Sequence, residues 1–388
     1  MSKTLQDLCI LVIFTILLSF LVWLPFHLKL NNLYGLDFSA GSASIYRNFD
    51  GLEYIVIAKS LYDPKIIAGL PYALSANYYA SHFPGYALLM LPFAPVLGFL
   101  KSMVLISLFF TVTSAIAFYF LVRDFKLTSH PLLLSVIFLI LPARWLIVHS
   151  VGSAEPMFIF FTILAIYFFM KFEKQKKYYF IFLTGLAGFF AQFTRPPGIL
   201  LFIALVIFTL WEIRRKNLPI LHRLYDTIIY LAPLTLIPAA LFAIFYWFQI
   251  SYNDFFAYFR SGDNIHLTFP PFQVFNQNQF WVGSIWLEDI IYIFILGLLG
   301  GLLLLKQKLY PMAFFVLTYL GASMFVAHRD ISRYLLPIFP FILISFEKIL
   351  VSREFKIVLV IIALAIYLYA ENFLIANTAP VPNLSVFN

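Results

Sequence analysis

The chain has 388 residues, of which 62% are hydrophobic and only 11% are charged, and its mean hydropathy is +0.92. A soluble fold could not bury this much apolar surface, so the composition indicates a polytopic membrane protein. The net charge of +8 follows the connections between apolar runs rather than one binding face, which argues against a nucleic-acid partner. Cys9 is the only cysteine, which excludes internal disulfides and a cysteine metal cluster.

Eleven apolar runs predict eleven membrane-spanning helices, and the period-two pattern of a membrane barrel is absent. In chain order they are 8–28, 103–122, 132–148, 157–170, 178–193, 199–213, 228–250, 290–305, 310–327, 334–350 and 357–369. The first run is too long for a signal-peptide core and lacks a small-residue cleavage site, so it is expected to stay as an anchor. The prediction is therefore an all-α fold with one integral-membrane domain over residues 1–388. Short connections leave twelve or thirteen spans as an alternative.

Basic clusters mark alternate connections, and the positive-inside rule places them in the cytoplasm. They are Lys3, Arg123/Lys126, Lys171/Lys174/Lys176/Lys177, Arg214/Arg215/Lys216/Arg223, Lys306/Lys308 and Lys348/Arg353/Lys356. Since Lys3 and Arg123 both fall inside, an even number of spans must separate them. The apolar segment 83–100 is therefore not expected to span. Its prolines and glycines suit a broken helix lying at the outer surface.

This topology places the N-terminus inside and the C-terminus outside. It gives a first extracytoplasmic loop at 30–102 with juxtamembrane helices, and a second large one at 251–287. The acids predicted to lie outside are Asp50, Glu53, Asp63, Glu155, Asp254, Asp263, Glu288, Asp289 and Asp330. Acids kept at a bilayer surface in so apolar a chain commonly bind a ligand or catalyse a reaction.

Asp50 is the most informative of these acids. It lies in the stretch NFDGLEY (48–54), where a loop turns into a short amphipathic helix. One interpretation is a helix N-cap completed by Glu53, and the other is a catalytic base. The two are compatible, because a helix terminus also fixes the position of the carboxylate. Glu53 is expected to support Asp50 or to be solvated.

Three short segments on the same predicted side carry further candidates. His82 in HFPGY could donate a hydrogen bond to a phosphate or orient a substrate hydroxyl, and the alternative is an ordinary interfacial histidine. Glu155 in GSAEP begins a span, and it either caps that helix or pairs with an arginine. Arg195 in TRPPG lies in a tight turn between two spans, where it is a phosphate ligand or a capping residue.

The segment HRDISRY (328–334) carries two arginines at the outer end of a predicted helix pair. The planar fork of arginine suits bidentate binding of phosphate, which favours Arg329 and Arg333 as phosphate ligands. A structural network of Arg329, Asp330 and Arg333 is the alternative. No P-loop, dinucleotide fingerprint, HExxH or DxD pattern is present, so the chemistry requires a donor other than a nucleotide sugar held by a metal ion.

These motifs resemble the GT-C superfamily of integral-membrane glycosyltransferases, and in particular the GPI mannosyltransferase II (PIG-V-like) proteins and their prokaryotic relatives. The matching pieces occur in the family's order and are FDGLEY (49–54), HFPGY (82–86), SAE (153–155), TRPPG (194–198) and SRYLLP (332–337). The chain departs from the family at Phe49, where many relatives carry tryptophan, and at Glu53, where an aromatic or small polar residue is common. These departures leave the subfamily and the sugar open.

The resemblance implies inverting transfer of a hexose, with mannose as first candidate, from a polyprenyl-phosphate sugar to a lipid or glycan acceptor. The reaction would occur at the extracytoplasmic face of a multi-pass membrane protein, in the plasma membrane if the protein is prokaryotic, and no metal or cofactor is expected. Its partners would be that donor, that acceptor and membrane lipids. By position, the resemblance assigns Asp50 as the base. The remaining expected roles are support by Glu53, His82 and Glu155, and donor-phosphate binding by Arg333 and Arg329, then Arg195.

Two other classes compete with this interpretation. A lipid or sugar transporter (flippase) would show acids or unwound helices near the midplane and an internal repeat, which the sequence lacks. A lipid-linked oligosaccharide polymerase or ligase is a closer rival, although the early Asp-Gly motif argues against it.

Overall fold

The computed structural model describes residues 2–70, 74–216, 219–261, 267–282, 287–381 and 383–387. Over these residues the chain is helical, with single-residue bridges in place of strands, so the predicted all-α fold is confirmed. The helices are α1 (Lys3–Leu28), α2 (Ala43–Tyr46), α3 (Gly51–Ser60), α4 (Pro64–Gly69), α5 (Gly85–Met90), α6 (Ala94–Leu97), α7 (Phe99–Asp124), α8 (Pro131–Ile140), α9 (Ala143–His149), α10 (Glu155–Gln175), α11 (Tyr178–Thr194), α12 (Ile199–Arg215), α13 (Ile220–Leu234), α14 (Leu236–Tyr252), α15 (Glu288–Lys306), α16 (Tyr310–Ser323), α17 (Ile331–Tyr334), α18 (Phe339–Ser345), α19 (Glu347–Leu350) and α20 (Arg353–Ala376). Asp263 and parts of both predicted outer loops lie outside the described residues.

Within the described ranges, seven helices are long and apolar enough to cross a membrane. They are α1, α7, α10, α12 with its preceding turn, α13 continuing into α14, α15 and α20. The pair α8 and α9 makes an eighth candidate, although it bends by 77° at its break. The three other predicted spans correspond to shorter apolar helices at Tyr178–Thr194, Tyr310–Ser323 and Ile331–Ser345. The chain is thus a polytopic membrane protein, and the count of eleven spans stays a prediction.

The apolar segment 83–100 is broken, as its prolines and glycines predict. It divides into α5 and α6, and α7 begins at Phe99. Gly85 lets α5 approach the end of α11, because a Cβ at this position would lie 2.8 Å from the carbonyl oxygen of Phe193. The break therefore brings the loop that follows His82 against the membrane helices.

Helix α10 lies in the middle of the bundle. It packs along α7 and α11, while α11 packs along α14, α12 along α16, and α15 along α16 and α18. The interior between them is filled by Leu, Ile, Val and Phe side chains, as expected where helices meet inside a membrane bundle.

Charged residues tie helix ends together at one end of the bundle. Tyr119 Oη donates to Asp7 Oδ2 at 2.7 Å, and Arg123 Nη1 donates to Thr4 Oγ1 at 3.3 Å. The start of α1 therefore meets the end of α7. This arrangement agrees with the predicted placing of Lys3 and Arg123 on one side of the membrane.

The end of α10 joins the same group. Lys171 Nζ donates to Asp124 Oδ2 at 3.0 Å, and Lys176 Nζ donates to Tyr230 Oη at 2.6 Å. We call this region, defined by Arg123, Asp124, Lys171 and Lys176, the basic end.

The opposite end of the bundle begins with the first residue of α10. This helix has 21 residues from Glu155 to Gln175, which at a rise of 1.5 Å per residue separates its ends by about 30 Å. The turn that contains Arg195 joins α11 to α12 beside Glu155. We call this region the site end.

Candidate active site

Asp50 lies directly before α3, at the site end. It occupies the N-cap position of that helix, but its side chain makes no capping hydrogen bond. Its Oδ2 instead accepts a hydrogen bond from Arg333 Nη2 at 2.6 Å. The capping interpretation is therefore right about the position of Asp50 and wrong about its side chain, because a charged partner outcompetes the backbone amides.

Arg333 joins Asp50 to a second carboxylate. Arg333 Nε donates to Glu155 Oε1 at 2.5 Å, and Arg195 forms an ion pair with the same oxygen. Ser153 Oγ donates to the other oxygen, Oε2, at 2.5 Å. Four segments distant in sequence thus converge here, and Glu155 pairs with arginines, one of the two outcomes predicted for it.

Burial makes this pairing obligatory. The side chains of Glu155 and Arg333 are only 1% and 5% exposed. A charge removed from water is stable in a protein only when an opposite charge and hydrogen bonds compensate it. We call Asp50, Glu155, Arg195 and Arg333 the charge cluster.

Asp50 differs from Glu155 in being accessible, since its side chain is 30% exposed. Burial acts to raise the pKa of Asp50, but electrostatic interactions with Arg333 and His82 and the hydrogen bond from Arg333 outweigh it, so the pKa is lowered overall. The carboxylate is therefore ionised at neutral pH. Burial acts to lower the pKa of Arg195, but the charge of the Glu155 carboxylate raises it by more than burial lowers it. This guanidinium therefore stays charged.

His82 approaches Asp50 from the first outer loop. Its Nε2 lies 3.9 Å from Asp50 Oδ2, too far for a direct hydrogen bond but near enough for an electrostatic interaction. The ring is held by Ser81, whose Oγ lies 2.8 Å from Nδ1, and by edge-to-face packing on Tyr54 with centroids 5.3 Å apart. The structure thus places His82 beside Asp50, and its supporting role stays a prediction.

A second ion pair, which the sequence did not indicate, lies beside the cluster. Arg144 Nη2 donates to Asp330 Oδ1, while Asp330 Oδ2 is 4.0 Å from Arg333 Nη1. Arg144 is the second residue of α9, directly after the break in the bent helix pair. A lone arginine inside an apolar run was the available signal, because such a charge requires a partner.

Aromatic rings cover these guanidiniums. The centre of the Arg144 guanidinium lies 3.9 Å from the ring centroid of Phe373, and that of Arg333 lies 4.4 Å from the centroid of Phe49. Phe49 and Phe373 are themselves stacked, with centroids 5.5 Å apart. Cations above ring faces are attracted by about 0.5–2 kcal/mol each, depending on how dry the site is.

The backbone before Asp50 is anchored and strained. Asn48 is fully buried, and its Nδ2 donates to the carbonyl oxygens of Ser44 at 2.6 Å and Leu374 at 2.8 Å. Phe49 adopts a left-handed conformation with φ +49°. This conformation costs a residue with a side chain about 1–2 kcal/mol, so contacts of the ring and of its neighbours must offset it.

Two other residues predicted for the site, Arg329 and Glu53, are not part of the charge cluster. Arg329 is exposed, and its guanidinium lies 5.6 Å from the ring centroid of Phe280. Of the predicted network of Arg329, Asp330 and Arg333, the structure contains the pair of Asp330 and Arg333, and the second arginine that pairs with Asp330 is Arg144. Glu53 is buried one turn further along α3. Among the residues described, no group of three or more His, Cys, Asp or Glu side chains is spaced to hold a metal ion.

Residues 99–256, less than half of the chain, match a family model described as dolichyl-phosphate-mannose-protein mannosyltransferase. This segment contains Glu155 and Arg195 but neither Asp50 nor Arg333. A search of curated proteins found no match. The family match points to protein mannosyltransferases and does not confirm the PIG-V-like subfamily.

Solved structures extend the likeness to almost the whole chain. The oligosaccharyltransferase of Archaeoglobus fulgidus tethered with an acceptor peptide has a TM-score of 0.55 at 13% identity, over 98% of this chain and 56% of that one. AglB from the same organism, in complex with an inhibitory peptide and a dolichol-phosphate, has a TM-score of 0.52 at 12% identity, over 98% and 57%. The protein O-mannosyltransferase complex of S. cerevisiae bound to its sugar donor has a TM-score of 0.47 at 18% identity, over 72% and 37%.

The archaeal likeness shows a common fold, and the chain spans little more than half the length of those proteins. The likeness of fold extends along nearly the whole chain and agrees with the predicted all-helical membrane architecture.

Proposed function

We propose that this protein transfers a hexose from a polyprenyl-phosphate sugar to a lipid or glycan acceptor at the extracytoplasmic face, with inversion at the sugar. Mannose is the first candidate sugar because of the family match. The observation that carries the proposal is one accessible carboxylate, Asp50, held by a buried arginine that two carboxylates share. A single displacement at a carbon bonded to phosphate requires an accessible base for the acceptor hydroxyl. It also requires cations near the leaving phosphate.

The proposed step breaks the bond between the sugar C1 and a phosphate oxygen, and it forms a bond from C1 to the acceptor oxygen. The acceptor hydroxyl gives its proton to Asp50, and the phosphate keeps the electron pair of the broken bond. The donor phosphodiester carries one negative charge, and the leaving phosphate monoester gains another. Asp50 loses one negative charge at the same time, so the total charge of the site is unchanged.

The charge cluster would respond to donor binding. Arg195 contributes only Nη1 to its described ion pair with Glu155, so the rest of its guanidinium fork can face a phosphate. In this proposal Arg195 is the first phosphate ligand, with Arg333 reaching the phosphate beside Asp50. A phosphate that competes for Arg333 weakens its hold on Asp50, which raises the pKa of that carboxylate and makes it a stronger base.

The proposal is tested by incubating purified protein with a panel of polyprenyl-phosphate sugars and scoring sugar release or transfer. Wild type should turn over at least one of them, and Asp50→Asn should lower that turnover by at least about 100-fold, as loss of a general base does. Asp63→Asn is the matched control, since Asp63 is an acid of the same loop that caps α4 and accepts from the Lys65 amide at 2.8 Å. Near-normal turnover by Asp50→Asn would refute the role of Asp50.

A lipid-linked oligosaccharide ligase is the second candidate, and the fold shared with the archaeal oligosaccharyltransferase favours it. The same panel separates the two functions when it includes a lipid-linked oligosaccharide. Transfer of the whole oligosaccharide, with every single-sugar phosphate inert, would replace the first proposal by the second.

A further inference from the structure

Phe49 stands next to the proposed base, and the mechanism above gives it no part. It is the one residue between the buried anchor Asn48 and Asp50. Its φ of +49° lies in the region that favours glycine, yet it carries a large aromatic side chain. An unfavourable backbone conformation that persists beside an active-site residue indicates that the surroundings enforce it.

The surroundings of the ring show what enforces it. The ring centroid of Phe49 lies 4.4 Å from the centre of the Arg333 guanidinium and 5.4 Å from that of Arg144. Phe373 stacks on the same ring at an interplanar angle of 21°. Phe49 is thus shared by two cations that belong to different ion pairs, one with Asp50 and one with Asp330.

The residues on either side of Phe49 and Asp50 are fixed, which restricts the directions in which the Asp50 carboxylate can point. The side chain of Asn48 is hydrogen-bonded on two sides, and α3 begins at Gly51. A Cβ at position 51 would lie 2.9 Å from the carbonyl oxygen of Gly152, so the start of α3 is held closely against the turn before α10. The torsions of Phe49 and Asp50 therefore decide where the carboxylate points.

We propose that Phe49 is a positioning residue for the transfer reaction, whose ring fixes the Arg333 guanidinium and whose left-handed backbone directs the Asp50 carboxylate onto it. The inference rests on the proposed function of Asp50. An aliphatic side chain of similar size fills the same space but has no negative ring face, so it cannot orient the guanidinium. The requirement is therefore for an aromatic ring, and not merely for an apolar residue.

The experiment compares Phe49→Leu with Phe49→Tyr in the full-length protein, using polyprenyl-phosphate mannose as donor. Phe49→Leu should lower kcat about tenfold to 100-fold, the usual cost of a misplaced catalytic group, with donor KM changed less than about threefold. A less firmly held Arg333 stabilises the Asp50 carboxylate less, so the pKa of Asp50 rises. The acidic limb of the plot of kcat/KM against pH should therefore move to higher pH. Phe49→Tyr should keep kcat and the acidic limb close to wild type.

Phe118→Leu is the control for loss of a buried ring. Phe118 is fully buried and packs on Phe138 with centroids 4.9 Å apart, outside the charge cluster. It should lower stability without moving the acidic limb. Equal kcat and an equal acidic limb in Phe49→Leu and Phe49→Tyr would overturn the inference.

Two further variants allow the experiment to decide the role of Phe49 whatever happens to the folding of Phe49→Leu. If Phe49→Leu does not fold, Phe373→Leu removes the ring stacked on Phe49 and should move the acidic limb in the same direction; an unmoved limb overturns the inference. Asp50→Asn separates the two proposals. An active Asp50→Asn refutes the proposed function itself, whereas an inactive Asp50→Asn with a wild-type-like Phe49→Leu refutes only the role of Phe49.

Discussion

The two ends of the bundle both contain ion pairs, but they are built differently. At the basic end Asp124 pairs with its neighbour Arg123 and with Lys171, and the three side chains are 16–32% exposed. At the site end Glu155 and Arg333 are 1% and 5% exposed and are 178 positions apart in the chain. Exposed pairs contribute little to stability, whereas breaking a buried pair leaves a charge without compensation. The basic end joins helix ends with partly exposed ion pairs, whereas the site end holds buried charges that the proposed mechanism uses.

The largest expected effect comes from Glu155→Gln, which keeps the shape of the side chain and removes its charge. Arg195 and Arg333 would remain buried with one carboxylate fewer, so the variant should be destabilised by about 3–5 kcal/mol. Asp124→Asn at the basic end is the matched control and should cost less than about 1 kcal/mol. Unfolding of both variants in detergent micelles measures the contrast. Equal losses would show that burial does not distinguish the two ends.

The next largest effect is expected from a change to the guanidinium of Arg333, which donates hydrogen bonds to two carboxylates. Arg333→Lys keeps the charge but cannot donate to Asp50 and Glu155 together, so kcat/KM should fall about 100-fold. The lowered pKa of Asp50 depends on this guanidinium, so the acidic limb of kcat/KM should move to higher pH in the variant. Activity that needs an ionised Asp50 is then lost at a higher pH as the solution is acidified. Arg123→Lys at the basic end should leave the limb in place, and an unmoved limb in Arg333→Lys would separate Arg333 from Asp50.

A smaller effect is expected from the second ion pair. Arg144→Lys keeps the partner of Asp330 but loses the planar contact with Phe373, and it should cost about 1 kcal/mol of stability and less than tenfold in kcat. Arg215→Lys is the control at the end of α12, where that guanidinium lies 4.4 Å from the ring centroid of Trp211. Denaturation and single-turnover rates measure both variants. A loss of activity as large as that of Arg333→Lys would place Arg144 in direct contact with the substrate.

The smallest effect is expected at Arg329. Its side chain is exposed and lies apart from the charge cluster, so Arg329→Ala should change donor affinity by less than about fivefold, the range of an exposed charge contact. The sequence motif had suggested Arg329 as a phosphate ligand. Donor titration decides between the two views, since a loss of 100-fold would restore that role.

The sequence predicted the parts of the fold that depend on local pattern. Each of the eleven apolar runs corresponds to a helix or a broken helix, because bilayer thickness and backbone hydrogen bonding restrict what such a run can form. The break in 83–100 followed from its prolines and glycines. The number of true spans could not be settled in this way, since α11, α16 and the α17–α18 segment are short.

The sequence indicated which residues belong to the charge cluster, but not which of them contact each other. Asp50, Glu155, Arg195 and Arg333 stand in recognisable motifs, but nothing local says that Asp50 meets an arginine 283 positions away. Arg144 was missed because its run was interpreted as one span, whereas the chain breaks directly before it. The left-handed backbone of Phe49 has no sequence signature, because tertiary contacts of its ring and of its neighbours offset its cost.

The anchoring of Asn48 has a consequence for the order of synthesis. The acceptor that holds its side chain, Leu374, belongs to α20, and the amide of Ala379 donates to the carbonyl oxygen of Arg47 at 2.9 Å. A nascent chain that has inserted α1 to α16 therefore carries Asp50 on a loop that lacks both the contact of Asn48 with Leu374 and the contact of Asp50 with Arg333. The contacts around Asp50 are therefore completed only after α17 and α20 have left the ribosome. An unfinished polypeptide in the membrane thus lacks the assembled site, although most of its spans are already in place.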